Sequence, residues 1–319
     1  MNGPWYIREY AGIVYGAAAV FGLIVGSFLN VVIYRLPRDL SIVRPRSFCP
    51  RCRRQIPWYE NIPIVSYLAL GGRCRGCGSP VSITYPLVEA AGAALALVSL
   101  ARFGFTVDAA FAYAFLMALT AITIIDWRFR IIPDEVSMPF ILVGLAWSMM
   151  SPERTVVGSA LGALVGGGGL YLVALLYKLL RRREGLGGGD IKLMAMVGAF
   201  LGVKLVLVVI LLASAAGSLY GVVLLRSGKN ARTAVAFGSF LAPAAAVCLL
   251  YGTRIISWYL GAFASSGTLH TNLAIPPPVF FAASVSLCNR MCRRGIRRTS
   301  SMLGWHACCV LRPDEEIGP

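Results

Sequence analysis

Residues 191–225, "IKLMAMVGAFLGVKLVLVVILLASAAGSLYGVVLL", form one nearly unbroken apolar run. A helix crosses the hydrocarbon layer in about 20 residues, at about 1.5 Å per residue. The run is therefore long for one span and short for two, and its division fixes the topology of the whole chain. Working outward, further apolar runs at 11–34, 85–103, 107–125, 136–150, 156–180 and 235–263 approach spanning length. Dividing the central run near Gly202 to Lys204 gives eight spans. Every short loop then lies on the side that its Lys and Arg content favours. Merging it would put the basic segment with Arg226, Lys229 and Arg232 opposite the other basic loops.

Composition agrees with this. The 319 residues are 57% hydrophobic and only 14% charged, with a mean hydropathy of +0.72. Soluble domains carry about 25% charged residues, so this chain cannot cover a globule with polar surface. The fold class expected is all-α, a polytopic helical membrane protein with about eight transmembrane helices in a lipid bilayer. The formal charge of +16 would suit nucleic acid, but the basic residues lie in short segments between apolar runs. They read as topology signals, and no nucleic-acid partner is expected. The loop 35–84 holds nine arginines against one basic residue before the first span, which places the loop in the cytoplasm and the N-terminus outside. The run Ala11 to Tyr34 is too long for a signal-peptide core and has a weak basic flank, so no cleavable signal is expected. Four regions follow: a first span (1–34), a cytoplasmic loop domain (35–84), a membrane-embedded domain (85–263) and an atypical tail (264–319). The tail has a Pro276-Pro277-Pro278 break and an apolar run, Val279 to Cys288, too short to span. No chemistry is assigned to it.

The loop contains "CPRC" (Cys49, Cys52) and "CRGC" (Cys74, Cys77), with 21 residues between the pairs. A tight turn aims both sulfurs of a pair the same way, so two pairs close a tetrahedral four-sulfur zinc site with no position open for catalysis. A redox dithiol and unliganded cysteines are the alternatives. Arg51, Arg53, Arg54, Arg73 and Arg75 would favour thiolates and hold the loop against anionic headgroups. With so little core of its own, the loop is expected to draw its folding energy from a structural zinc ion. Trp58 and Tyr59 read as interfacial anchors and Glu60 as an exposed side chain. Glu89 lies about one turn inside the second span, where a carboxylate is costly and suggests function; snorkelling explains it equally well.

Two further carboxylates stand out. Asp126, in "AITIIDWRFRIIPDEVS", closes the third span at its cytoplasmic end, where the helix dipole is already negative. Asp190 follows Gly187-Gly188-Gly189 and opens the sixth span on the same face at similar depth. The glycines permit close approach of another chain. Two carboxylates in a poorly hydrated site share a proton and can hold a water between base and acid, the machinery of an aspartic protease. An N-cap is the competing explanation for Asp190, and the preferred one for Asp134. Lys192 reads as a snorkelling lysine or a tuner of the dyad.

The segments "CPRCRRQIPWYENIPIVSYLALGGRCRGC", "SITYPLVE", "IDWRFRIIPD", "GLGGGDIKLMAMVGAFLG" and "FGSFLAP" together resemble the type IV prepilin leader peptidases of bacteria. The resemblance runs from about Gly26 to Phe263. It implies an inner-membrane aspartyl protease that removes the basic leader of type IV prepilins or pseudopilins after a glycine, on the cytoplasmic side. It also places the catalytic aspartates on Asp126 and Asp190. Many members methylate the new N-terminus with S-adenosylmethionine and carry the zinc loop matched by Cys49 to Cys77. No glycine-rich nucleotide fold is visible, so Glu60 and Glu89 stand only as guesses for the methylation site. Gly71 occupies a place where such loops often carry a basic residue, Ser239 replaces the proline of "FGPF", and the tail after Phe263 matches nothing in the family. A metal- or proton-coupled transporter with the zinc loop as regulator is the alternative, and a membrane scaffold docking partners through the zinc knuckle a third reading.

Overall fold

A computed structural model of the chain describes residues 10–182, 187–227 and 236–265. Met1–Ala262 forms one unit and Phe263–Pro319 another, of which only the last residues of a helix are described. Residues 266–319 and the basic residues Lys229 and Arg232 lie outside the described residues. The helices are α1 (Ala11–Arg35), α2 (Thr84–Phe103), α3 (Val107–Phe129) and α4 (Asp134–Met150). They are followed by α5 (Val156–Arg181), α6 (Gly188–Arg226) and α7 (Gly238–Ser265). Among the described residues six helices are long and apolar enough to cross a membrane, all but α4.

Local chemistry sets the helix ends. The hydroxyl of Thr106 accepts from the Ala109 N–H to start α3, and that of Thr155 accepts from the Gly158 N–H to start α5. Gly104, at φ 72°, stops α2 in a conformation that side chains resist. The division expected near Gly202 to Lys204 falls at Gly202, whose φ of 73° and ψ of 173° interrupt α6 in a region open essentially to glycine alone. The break frees carbonyls at the end of the first half. One of them, on Phe200, accepts from Arg154 Nη1. The Arg154 guanidinium sits 3.5 Å over the Trp147 ring, and Trp147 Nε1–H donates to Asp108 Oδ1 at 2.6 Å.

Lipid offers no hydrophobic gain to helices that meet, so close backbone packing holds them together. α1 meets α2 through Gly22, Gly26 and Gly92; a Cβ on Gly22 would lie 2.5 Å from the Gly92 carbonyl, and one on Gly26 2.7 Å from Glu89 Cα. α5 meets the first half of α6 in the same way, with Gly162 and Gly166 against the backbone of Gly198 and Met194. A π-helical turn at Leu164–Gly168 lies on this contact. α3 is the central helix, with 61% of its spanning window buried against 28–39% for the other five. One face joins Leu29, Ile33 and Val88. The other joins the cluster around Trp147, Phe200 and Leu241, where Phe115 stacks on Phe200 at 4.1 Å. The last turn of α3 is therefore held from two sides.

Candidate functional site

The two cysteine pairs fold as near copies. In the first, Arg53 N–H donates to Cys49 O at 2.8 Å and Cys49 N–H to Arg54 O at 2.9 Å; in the second, Gly78 donates to Cys74 and Cys74 to Ser79 at the same distances. The turn needs a left-handed residue four places after its first cysteine: Arg53 at φ 59° and Gly78 at φ 66°. The four sulfurs lie within 4.8 Å of one another. A tetrahedral zinc with Zn–S of about 2.3 Å would separate its sulfurs by about 3.8 Å, and Cys49 Sγ lies 3.9 Å from Cys77 Sγ. The donor set and spacing suit a zinc ion. The Cys49 thiol is lowered to about 6, chiefly by the Cys52 N–H, against its own burial. Cys77 is lowered too, first by the Ser79 hydroxyl. Against the Arg54 N–H, burial and the neighbouring sulfurs push Cys52 up to about 11, so the protein alone favours the thiolate at Cys49 and Cys77 and not at Cys52.

Glu60 departs from expectation. Its side chain is only 7% exposed and is gripped by an arginine from each knuckle, Arg54 Nη2 at 2.9 Å and Arg75 Nη1 at 3.5 Å. Local sequence hides this, because the two arginines meet only once the knuckles close. Glu89, 8% exposed, accepts from the Ile64 N–H at 2.8 Å. Ile64 has φ 61°, an outlier for a β-branched residue, and this hydrogen bond helps hold it there. Burial with a backbone partner replaces snorkelling as the account of Glu89. Both carboxylates line a cavity of about 400 Å³ between the loop and the ends of α1 and α2. Asn30, also on its wall, ties α1 to α2 through the Tyr85 carbonyl at 3.0 Å. Trp58 and Tyr59 are exposed on the loop, and Gly71 and Gly72 are both left-handed, at φ 57° and 66°.

Asp126 lies in the last turn of α3 and is 5% exposed. Its Oδ2 accepts from the Ser239 N–H at 2.6 Å and the Ser239 hydroxyl at 2.9 Å, at the start of α7. A Cβ on Gly238 would meet that same oxygen at 2.9 Å and Ile132 Cδ1 at 2.7 Å. Ile132 also fills the space beside Gly189, where a Cβ would fall 2.9 Å from its own. The Ile132 side chain is thus wedged between the starts of α6 and α7. Asp190, half-buried in the first turn of α6, is thereby brought within the electrostatic reach of Asp126. Sequence reading noticed Ser239 as a departure but not as a partner of Asp126, and it missed Ile132 altogether.

Asp134 is not the simple N-cap expected. Pro133 holds that place without a side-chain cap, and the Asp134 carboxylate pairs with Lys192 Nζ at 2.6 Å, linking α4 to α6. The pair is 56% and 40% exposed, so it contributes at most about 1 kcal/mol. It also accounts for Lys192 without snorkelling.

The fold and these sites define a multi-pass helical membrane protein with a four-cysteine knuckle and two carboxylates drawn together at helix ends. Residues 113–222 match the type IV leader peptidase family, and residues 20–103 the bacterial peptidase A24 N-terminal domain. A prepilin leader peptidase/N-methyltransferase of Pseudomonas aeruginosa is 38% identical over 76% of this chain and 91% of its own. One from Burkholderia pseudomallei is 37% identical over 74% and 85%, and one from Xanthomonas campestris 36% over 80% and 97%. No solved structure matches the chain. The chain belongs to the prepilin leader peptidase/N-methyltransferase family.

Proposed function

We propose that Asp126 and Asp190 are the catalytic carboxylates with which this chain cleaves type IV prepilins or pseudopilins. The enzyme is an aspartic prepilin peptidase and N-methyltransferase. The basic leader stays on the cytoplasmic side, the apolar segment of the substrate enters from the bilayer, and the cut follows a glycine. One carboxylate takes a proton from water as the water oxygen bonds to the glycyl carbonyl carbon. The other, protonated, supports the carbonyl oxygen, and the leaving amine takes up a proton as the C–N bond breaks. The observation that carries this reading is the Ile132 wedge, with a buried Asp126 on one side and the Gly189–Asp190 turn on the other. In a leader-peptide cleavage assay, Asp126→Asn and Asp190→Asn should each abolish product while the protein still inserts. Product from both single variants would remove the dyad.

The chain makes eight crossings, counting α4 and the two halves of α6, in the bacterial inner membrane with residues 35–84 in the cytoplasm. The functional regions are 1–34, 35–84, 85–263 and 264–319, the second being the methylase-associated zinc domain. Zinc on Cys49, Cys52, Cys74 and Cys77 is structural, since four thiolates leave no open position. The cavity with Glu60 and Glu89 is the methyl-transfer chamber. S-adenosylmethionine supplies an electrophilic methyl group there. Glu89 attracts the cationic new N-terminus and can accept the proton that its amine must lose before attack, while Glu60 stays paired with Arg54 and Arg75 on the wall. Purified enzyme given labelled S-adenosylmethionine and a leader peptide should yield labelled mature product. Correctly cut product without label would leave the cavity without this role.

A further inference from the structure

We infer that Ser239 is a positioning residue that fixes which member of the Asp126–Asp190 pair carries the shared proton, an inference that rests on the dyad reading above. Both of its hydrogen bonds fall on a single atom, Asp126 Oδ2. A hydroxyl can turn to donate or accept, but a backbone N–H can only donate. An oxygen 2.6 Å from that N–H is therefore an acceptor, which leaves only Oδ1 to carry a proton, and two donors on one oxygen bind a carboxylate more strongly than a neutral acid. The hydroxyl, 2.9 Å away, has its donor turned to the same oxygen. Both groups sit in the first turn of α7, where the helix dipole favours negative charge. The charge of the pair rests on Asp126 and the proton on Asp190. Asp126 is then the base that takes the water proton, and Asp190 the acid.

The other charges acting on Asp126 are Asp190 itself and Arg130, just past the end of α3. Lys192 and Asp134 are spent on each other. α7 brings no other charge near its start, since its first charged residue is Arg254. The two Ser239 donors are thus the uncharged part of the balance, and the part that differs from the proline of the family pattern. Proline would supply neither donor.

The test uses the full-length enzyme in detergent or vesicles, with cleavage followed against pH. Ser239→Ala removes the hydroxyl and keeps the N–H. It should lower kcat roughly tenfold with KM little changed, and move the acidic limb of the profile to higher pH, because a carboxylate that loses a donor is harder to keep charged. Ser239→Thr should return both to the wild-type values. Ser239→Pro is compatible with a first helical turn and removes both donors, so it should displace the limb further than alanine while cleavage persists. An alanine or proline profile that superimposes on the wild type overturns the inference, as does a threonine profile still displaced to the alanine position. Asp126→Asn and Asp190→Asn run alongside separate the two levels. If both still cleave, the dyad and this inference fall together. If both are dead and the alanine limb is unmoved, only the role of Ser239 falls.

Discussion

The loop domain with α1 and α2, and the bundle of α3, α4, α6 and α7, both gather polar groups from distant parts of the chain, by opposite means. Around the loop, turns, arginines and a metal-ready sulfur cluster do the work, and Glu60 is held by side chains rooted in the two knuckles. In the bundle, Asp126 and Asp190 are placed by helix ends pressed together around Ile132, with Gly189 and Gly238 leaving room for it. The first arrangement lies above the smaller cluster of Leu29, Ile33 and Val88 on one face of α3. The second rests on the other face of α3, the most buried of the six described spans. A perturbation should therefore separate them cleanly.

The largest separation is expected from metal removal. Chelation, or Cys49→Ser with Cys74→Ser, should reduce zinc to well below one ion per chain by elemental analysis. The loop then loses a metal contribution that reaches about 10 kcal/mol in small zinc modules. Methyl transfer should vanish while cleavage of a leader peptide falls by less than about tenfold. Equal loss of both activities would show that the bundle leans on the loop.

The reverse test is Gly238→Ala. The added methyl would press on Asp126 Oδ2 and Ile132 together, so cleavage should drop by about 100-fold or more, a cost of about 3 kcal/mol. Methylation of a precut peptide should continue. A smaller effect is expected of Glu60→Gln, which weakens the bonds to Arg54 and Arg75 without removing the side chain. Methyl transfer should fall roughly tenfold with cleavage unaltered. The smallest is Arg53→Gly. It relieves a left-handed arginine where the second knuckle already uses glycine, and should shift loop stability by no more than about 1 kcal/mol in a thermal melt.

Legibility in the sequence followed the same divide. The division of 191–225 was readable because a glycine and a lysine interrupt an otherwise apolar run, and the break falls at Gly202. The cysteine cluster was readable because its spacing alone encodes a tetrahedron. The carboxylates at 126 and 190 stood out as charges where lipid-facing helices have no use for them. Burial of Glu60 was not readable, since it depends on Arg54 and Arg75 converging after the knuckles fold. Nor was the Ser239–Asp126 bond, which joins residues 113 apart and leaves no periodic trace. Asp134 shows how a local rule yields: a helix-start aspartate would cap its own backbone, but Lys192 on a neighbouring helix claims it first.

The interruption at Gly202 also bears on how this chain can vary over generations. In a continuous helix, one inserted residue rotates everything beyond it by about 100° relative to what precedes it. Residues 193, 194, 196, 197, 199 and 200 admit no solvent, so the stretch 188–201 cannot be reindexed without turning Asp190 away from its neighbour. Beyond the glycine, Leu207, Leu211, Leu219 and Val222 face outward, and helical phase is not inherited across a non-helical link. Val206, Val209 and Ala213 still pack into the core just past the glycine, so length changes should accumulate among descendants only beyond Ala213, to suit bilayers of different thickness, while the stretch ahead of the glycine stays fixed in register.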